Sequence, residues 1–278
     1  MIKNHENQAP AALYEGDARK VSFHSMIHGG EYACIGIYEN ENMSVFDANH
    51  RAVTFIASMV NIDSSTHILD IGAGYGGAAH HLAKTFGCNV TCLNINSEQN
   101  DVNQAKVNSL GLAHQVSVIA GSYESIEEYV EQNSFDIVWS QDAMFFSRFP
   151  ELIFEGVKHA LQPGGQFIFS DLMKQENCSS EMLSSILNVQ KINSLCSVND
   201  YQSIAASGGF EQLRLIEMPE HLIRHYSHIV ESIDSNYSEL LEKCGKDFID
   251  YHRERVGIWI EGTKSGDFNW GVLHFELA

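Results

Sequence analysis

Apolar residues along this chain follow two spacings: short continuous runs, typical of buried strands, and a three- to four-residue repeat, typical of amphipathic helices. The first clear helix is predicted over 46–60, where Val53, Ile56 and Val60 recur on one face. The pattern then predicts strands at 67–71, 89–94, 116–120, 135–140 and 166–171, with helices at 76–86, 97–110, 126–131 and 151–161 between them. Such alternation predicts an α/β fold, in which a mostly parallel sheet carries helices on both faces.

The spacing becomes less regular after residue 175. We predict helices at 182–195 and 198–207, a strand at 211–217, helices at 221–244 and 248–262, and a seventh strand at 270–277. A mostly helical segment therefore separates the last two strands, and we expect it to cover the sheet as a lid. We predict one domain over 1–278, divided into an N-terminal arm (1–45), a core (46–218), the lid (219–262) and the final strand (263–278).

The charge of the chain argues against several classes of partner. Its 17 Lys and Arg residues stand against 36 Asp and Glu residues, a net charge of −19, which repels the phosphates of nucleic acids and anionic membranes. No apolar run approaches the roughly 18 residues of a membrane-spanning helix, and the first ten residues lack the apolar region of a signal peptide. We expect a cytoplasmic protein that binds neither nucleic acid nor membrane. The oligomeric state stays open, a homodimer included.

The six cysteines give no sign of a metal site. They are scattered along the chain, no two are spaced as CxxC, and no cysteine–histidine cluster has the spacing of a zinc site. Reduced thiols in a cytosolic protein are the simpler interpretation, so we expect no bound metal.

A glycine-rich turn follows the first predicted strand. It reads Asp70-Ile71-Gly72-Ala73-Gly74-Tyr75-Gly76-Gly77, and glycines there let the backbone turn tightly and approach a ligand. The turn satisfies both the dinucleotide pattern GxGxxG and the DxGxGxG pattern of S-adenosylmethionine (SAM) methyltransferases. A carboxylate at Asp70 would repel a pyrophosphate but favour the cationic methionine end of SAM. We therefore favour SAM as the cofactor over the dinucleotide of a nicotinamide-dependent oxidoreductase.

Polar residues at the ends of the following strands extend the predicted cofactor site. Asn94 ends the second strand, about twenty residues after the glycines, where a ribose-binding side chain is expected. Gly121 and Ser122 follow the third strand, and Gln141 follows the fourth. Because ligands of open parallel sheets bind outside the carboxyl ends of the strands, we expect these residues to share one rim.

With these motifs, and with Pro163-Gly164-Gly165 before the fifth strand, the chain resembles the class I SAM-dependent methyltransferases over about 50–175. More narrowly, it resembles the sarcosine/dimethylglycine N-methyltransferases, which make betaine. The narrower resemblance rests on Tyr14, Gly29-Gly30-Glu31, Ile35-Gly36-Ile37-Tyr38, Gly72-Ala73-Gly74-Tyr75-Gly76-Gly77, Leu93-Asn94-Ile95, Trp139-Ser140-Gln141-Asp142-Ala143, His225-Tyr226-Ser227, Trp259-Ile260-Glu261-Gly262 and Asn269-Trp270-Gly271.

The resemblance implies a Rossmann-like fold, SAM as the cofactor and N-methylation of sarcosine or dimethylglycine, a small-molecule acceptor. The predicted cofactor-binding residues are Tyr14, Asp70, Gly72, Ala73, Gly74, Asn94, Ile95, Gln99, Gly121, Ser122 and Gln141.

The chain departs from that family in the segment expected to hold the acceptor. His24, His28 and Cys34 stand where the family typically has Tyr, Trp and His, and the His often found shortly after Ala143 is missing. We therefore expect the cofactor site to be preserved and the acceptor pocket to differ. Another small amine, an imidazole or a thiol metabolite stays open as the acceptor, and so does a SAM-binding module without catalysis.

Methyl transfer from a sulfonium is an in-line displacement with a good leaving group, so the protein mainly positions and desolvates the reactants. An acceptor that must lose a proton needs a base, for which His24 and His28 are the candidates. An acceptor carboxylate would bind an arginine, for which Arg148 and Arg224 are the candidates. The predicted substrate-binding residues are Tyr38, Arg148, Arg224, His225, Tyr226 and Trp270.

Overall fold

The computed structural model describes residues 18–28 and 30–278, and in this part of the chain a seven-stranded sheet forms the centre of the molecule. The strands are β1 (His67–Ile71), β2 (Asn89–Asn94), β3 (Val116–Ala120), β4 (Phe135–Gln141), β5 (Leu161–Lys174), β6 (Phe210–Glu217) and β7 (Phe268–Leu277). Their order is β3-β2-β1-β4-β5-β7-β6, and β7 alone runs antiparallel to its neighbours. The predicted mostly parallel sheet is confirmed.

Helices cover both faces of this sheet, as predicted. Adjacent side chains of a strand point to opposite faces of the sheet. In β1, Ile68 packs in one core cluster and Leu69 in another, so each face of the sheet has its own core under a layer of helices. The helices are α1 (Ala18–Ile27), α2 (Val45–Ala57), α3 (Gly77–Phe86), α4 (Ser97–Ser109), α5 (Pro150–Ala160), α6 (Ser180–Gln190), α7 (Val198–Gly208), α8 (Pro219–Ser235), α9 (Tyr237–Cys244) and α10 (Lys246–Ser265).

Several predicted boundaries were wrong. The helix expected over 182–195 ends at Gln190, because Lys191 takes a left-handed conformation with φ of 55°. The helix expected over 221–244 is two helices separated at Asn236, and the one expected over 126–131 is a 3₁₀ helix over Tyr123–Glu128. The fifth strand is longer at both ends than the predicted 166–171.

The last three helices, α8 to α10, lie between β6 and β7 in the chain, in the segment predicted to form the lid. Helix α1 of the predicted arm packs against α8 and α9 of that segment, and α10 packs on α8, α6 and β7. Helix α1 and the segment of α8 to α10 are therefore in contact with each other, and α10 also packs on the sheet.

No helix among the described residues combines the length and the apolar character that crossing a membrane requires.

Candidate active site

The glycine turn after β1 has the geometry of a ligand-binding turn. Gly72, Gly74 and Gly76 all have positive φ, at 73°, 55° and 82°, a conformation that only glycine adopts without strain. A Cβ at Gly72 would lie 2.5 Å from the Cβ of Ala143, whereas a Cβ at Gly74 would meet nothing within 4 Å. The turn is therefore packed against the protein at Gly72 and open at Gly74.

A cavity of about 500 Å³ begins at this turn and extends between the carboxyl ends of the strands, the arm and the lid. A cavity of this size suits a small-molecule site. Of the residues predicted from the sequence, it brings together His24, His28, Gly72, Gly74, Asn94, Ile95, Gln99, Gln141, His225 and Tyr226.

One end of the cavity has groups that suit the nucleoside part of a cofactor. The Asn94 side-chain nitrogen donates to Gln99 Oε1 and Asn100 Oδ1, both at 3.1 Å, which fixes the orientation of the amide. Among the described residues its Oδ1 receives no hydrogen bond, so this oxygen can accept one from a ribose hydroxyl. Ile95 is 39% exposed although it is apolar, and it gives the same wall an apolar surface.

Several buried polar atoms near the turn lack a partner within the described part of the chain, among them Asp70 Oδ2 and Gln141 Nε2. Gln141 Oε1 accepts from Trp139 Nε1 at 3.3 Å, so its amide nitrogen is left to donate to a ligand in the cavity. Burial raises the pKa of Asp70 to about 7, and a nearby cation would favour its charged form. An unsatisfied donor and a buried carboxylate together fit the carboxylate and ammonium groups at the methionine end of SAM.

Asp70, Ala73, Gly121 and Ser122 do not line the cavity. Asp70 lies just before the turn and is 3% exposed, so it would affect a ligand in the cavity through its charge rather than by contact. Ser122 Oγ instead accepts from the Glu124 amide at 3.1 Å and caps the 3₁₀ helix. Tyr14 lies outside the described residues.

Buried histidines line the other end of the cavity, which would hold the acceptor. Burial lowers the pKa of His24 to about 4 and that of His225 to about 3, and burial together with neighbouring positive charges lowers the pKa of His28 well below its ordinary value. His24 stacks on Tyr75 at 4.1 Å and on His28 at 5.2 Å between ring centres. All three imidazoles are therefore neutral at pH 7, and as bases they are weak.

The tautomer of His225 follows from its hydrogen bonds. The Gly36 amide, which can only donate, lies 3.2 Å from Nδ1, and the Tyr38 hydroxyl lies 3.0 Å from the same nitrogen. Nδ1 is thus an acceptor, and the proton of the neutral ring is on Nε2. Tyr38, predicted to bind substrate, does not line the cavity and instead orients His225.

Asp142 holds several elements together beside the cavity. Its Oδ2 accepts from the Ile35 amide at 2.5 Å, and its Oδ1 accepts from Ser170 Oγ and Trp270 Nε1, both at 2.8 Å. Trp270 is fully buried and off the cavity wall, so its contact is with Asp142. Burial raises the pKa of Asp142 to about 6, although the three hydrogen bonds favour the carboxylate.

The two arginines predicted from the sequence do not reach the cavity. Arg148 is exposed and lies over the Phe149 ring, and Arg224 is also absent from the wall. Arg255 of α10 lines the cavity instead, and its buried Nε has no hydrogen-bond partner among the described residues. Sequence reasoning missed Arg255. The available signal was a stripe at helical spacing, Phe248, His252, Arg255 and Trp259, in which two polar residues share a face with two aromatic ones.

Within the described ranges no cluster of His, Cys, Asp or Glu could hold a metal ion. The cavity has neutral imidazoles, the half-buried side chain of Arg255 and the glycine turn on its walls, an arrangement that suits small molecules.

Comparisons with known proteins agree with this geometry. The family model described as mycolic acid cyclopropane synthetase matches residues 23–255. A sarcosine/dimethylglycine N-methyltransferase of Aphanothece halophytica is 35% identical over 91% of both chains. A glycine/sarcosine/dimethylglycine N-methyltransferase of Actinopolyspora halophila is 32% identical over 91% of this chain but only 44% of its own length.

A solved structure also matches closely. The crystal structure of a protein assigned as a sarcosine dimethylglycine methyltransferase from Galdieria sulphuraria superposes with a TM-score of 0.87 and 31% identity, over 93% of this chain and 96% of that one. The match therefore includes most of the segments around the cavity and is not restricted to the sheet.

Proposed function

We propose that this chain, which belongs to the class I SAM-dependent methyltransferases within the family of the mycolic acid cyclopropane synthetase model, methylates the nitrogen of sarcosine and dimethylglycine, with betaine as the final product. That it is a SAM-dependent methyltransferase follows from the family. The acceptor is the proposed part, and it is supported by the names of relatives that match 91% and 93% of the chain.

The observation that carries the proposal is that one cavity continues without a break from the glycine turn to the histidines and Arg255. SAM, when bound, supplies an electrophilic methyl group on a sulfonium. Gly72, Gly74, Asn94 and Gln141 would hold it, since they line the cavity end nearest the turn. The space towards the arm and the lid then receives an acceptor in line with the methyl group.

The neutral histidines suit a tertiary amine. His24 and His225, with pKa values lowered by burial to about 4 and about 3, are poor general bases at neutral pH. The nitrogen of dimethylglycine carries no proton in its nucleophilic form, so its methylation needs no base from the protein. The chain's own residues need only to position the amine and exclude water.

A second candidate acceptor is another small amine, an imidazole or a thiol metabolite. The observation that favours it is that His24, His28 and Cys34, the residues that differ from the narrower family, all line the cavity. Because the side chains around the acceptor determine which acceptor is bound, different residues at this end of the cavity would select a different acceptor.

A turnover screen separates these candidates. Purified protein and SAM are offered glycine, sarcosine, dimethylglycine, histidine derivatives and small thiols, and S-adenosylhomocysteine release and product mass are measured. We expect dimethylglycine to give betaine at the highest rate. Turnover of an imidazole or thiol without turnover of the glycine series would refute the proposed acceptor, and no turnover with any acceptor would favour a binding module.

We also propose a cytoplasmic location, which is supported by the six cysteines, all free in the structure. Homodimer formation stays a prediction, and light scattering of the purified protein tests it.

A further inference from the structure

We propose that Arg255 binds the carboxylate of the acceptor and thereby selects amino-acid amines against amines that lack a carboxylate. This inference rests on the proposed function in one respect, since it takes the acceptor to be a small amine with a carboxylate. It adds the residue that recognises that group.

The first support is the position of Arg255 on α10. It lies about one turn after His252, and both side chains line the cavity, whereas Trp259 one turn further on is fully buried in the core. Its Nε is buried without a hydrogen-bond partner in the part of the chain that the structure describes. An unsatisfied buried donor costs free energy, which a ligand that accepts the hydrogen bond recovers.

The second support is a contrast with a neighbouring arginine. Arg253, two residues away on the same helix, also has a buried Nε without a partner, but it does not line the cavity and its Nη2 forms an ion pair with Asp234. Within the described ranges no ion pair involves Arg255. Arg253, which does not line the cavity, thus has a carboxylate partner among the described residues, and Arg255, which lines it, has none.

The third support is the charge of the cavity wall. Asp142 is engaged by three donors, Asp247 pairs with Arg19 at 3.3 Å, and Glu98 has an interaction of its own. His28 is neutral, and the positive charge of Arg255 is among the causes that lower its pKa, after burial and neighbouring histidines. A ligand carboxylate is thus the group that would neutralise Arg255, through a charge-assisted hydrogen bond or a bidentate pair.

The carboxylate could also be that of the cofactor, and the surroundings of Arg255 favour the acceptor. Its charge acts on His28 and on Tyr226, at the end of the cavity formed by the arm and the lid. Gln141, at the end nearest the glycine turn, provides an unsatisfied donor for the cofactor carboxylate. The experiment below therefore measures the binding of the acceptor and the binding of the cofactor product separately.

The test compares Arg255→Gln with Arg255→Lys, and uses Arg253→Gln and Arg224→Gln as controls outside the cavity. Dimethylglycine and N,N-dimethylethanolamine, which lacks the carboxylate, are the acceptors, and S-adenosylhomocysteine binding is measured by calorimetry. We expect Arg255→Gln to raise KM for dimethylglycine by about 10- to 100-fold, to reduce the preference for dimethylglycine by a similar factor and to leave S-adenosylhomocysteine affinity within about twofold. Arg255→Lys should keep part of the preference, and both controls should behave as the natural protein does.

An unchanged KM and an unchanged preference in a folded Arg255→Gln protein would overturn the inference. A parallel loss of S-adenosylhomocysteine affinity would also overturn it, because Arg255 would then hold the cofactor. Thermal denaturation with bound S-adenosylhomocysteine checks that the variant is folded.

A further binding experiment keeps this inference separate from the proposed function. If dimethylglycine is not turned over, the stabilisation of the S-adenosylhomocysteine complex by acetate is measured instead. Stabilisation that Arg255→Gln abolishes and Arg253→Gln retains would support the carboxylate site although the proposed acceptor is wrong. Equal stabilisation of both variants would overturn it.

Discussion

At the scale of single residues, the residues at the cofactor end of the cavity can be predicted from the ends of the strands, and those at the acceptor end cannot. Gly72, Asn94 and Gln141 could be placed from the sequence because parallel strands bring their carboxyl ends to one edge. Arg148 was a natural candidate for the same reason, yet its side chain points to solvent beside Phe149. Arg255 lies on a helix far along the chain, and only the packing of that helix shows which face meets the cavity.

Replacing Gly74 tests the cofactor end. A valine there would project into the cavity and would need a positive φ, which a β-branched residue strongly disfavours. We expect Gly74→Val to lower S-adenosylhomocysteine affinity by at least about tenfold in calorimetry. Gly111→Val is the matched control, because Gly111 also has positive φ, at 71°, and open space around it, but does not line the cavity. It should lose stability and keep affinity, and a folded Gly74→Val protein with unchanged affinity would contradict the site.

Replacing Asp70 tests its buried charge. Burial raises the folded-state pKa of Asp70 to about 7, above its value of 3.8 in the unfolded chain, so ionisation opposes folding increasingly above pH 3.8 and fully above about pH 7. We expect Asp70→Asn to raise the free energy of unfolding of the cofactor-free protein by up to about 4 kcal/mol at pH 8, and by less than half of that at pH 5. Urea denaturation at the two pH values measures the difference.

The control for this prediction is Asp101→Asn, which changes an exposed carboxylate on α4 and should have no such pH dependence. If Asp70→Asn had the same effect at both pH values, the shifted pKa would be refuted. The same variant should bind S-adenosylhomocysteine more weakly, because it removes the negative charge that favours the ammonium group.

At the scale of secondary-structure elements, side chains from distant elements hold the arm segment 35–38. The Ile35 amide donates to Asp142 just after β4, and the next amide, of Gly36, donates to His225 of α8. Sequence patterns could not predict this, because the segment has no periodicity and its partners lie more than a hundred residues away. The break of the lid at Asn236 was missed for a related reason, since the apolar spacing continues across it.

Removing the Tyr38 hydroxyl tests this attachment. Tyr38→Phe deletes its hydrogen bond to His225 Nδ1 while the Gly36 amide remains bonded to the same nitrogen. We expect a loss of about 1 kcal/mol in the free energy of unfolding, and faster hydrogen exchange in the segment 35–38. Tyr237→Phe, on α9, removes a hydroxyl that has no hydrogen-bond partner among the described residues, so it should change neither quantity. Equal exchange rates in the Tyr38→Phe and natural proteins would show that the bond does not hold the arm.

At the scale of the whole molecule, the alternation of strands and helices was enough to predict the sheet, and all seven predicted strands are present in the described chain. Their spatial order and the contact of the arm with α8 and α9 were not predictable, because they depend on packing between segments far apart in sequence. The division into arm, core, lid and final strand stays a prediction.

The net charge of −19 is a property of the whole molecule and predicts a response to salt. Self-repulsion of like charges destabilises a compact state, and salt screens it. We expect the melting temperature to rise between about 0.05 M and about 0.5 M KCl. NaCl should act equally, since screening does not depend on the cation. If the melting temperature fell with both salts, or changed with only one of them, charge screening would not be the cause.

The place of β7 between β5 and β6 has a consequence for synthesis on the ribosome. Until residues 268–277 have been translated, β6 has no partner in the sheet, and Asp142 lacks the Trp270 donor that lies 128 residues later. Without residues 268–277 the sheet therefore ends at β5, and Asp142 beside the cavity keeps only two of its three hydrogen-bond donors. A ribosome stalled before residue 268 would therefore expose a protein whose β5 edge is unpaired, and an unpaired strand edge can pair with another chain.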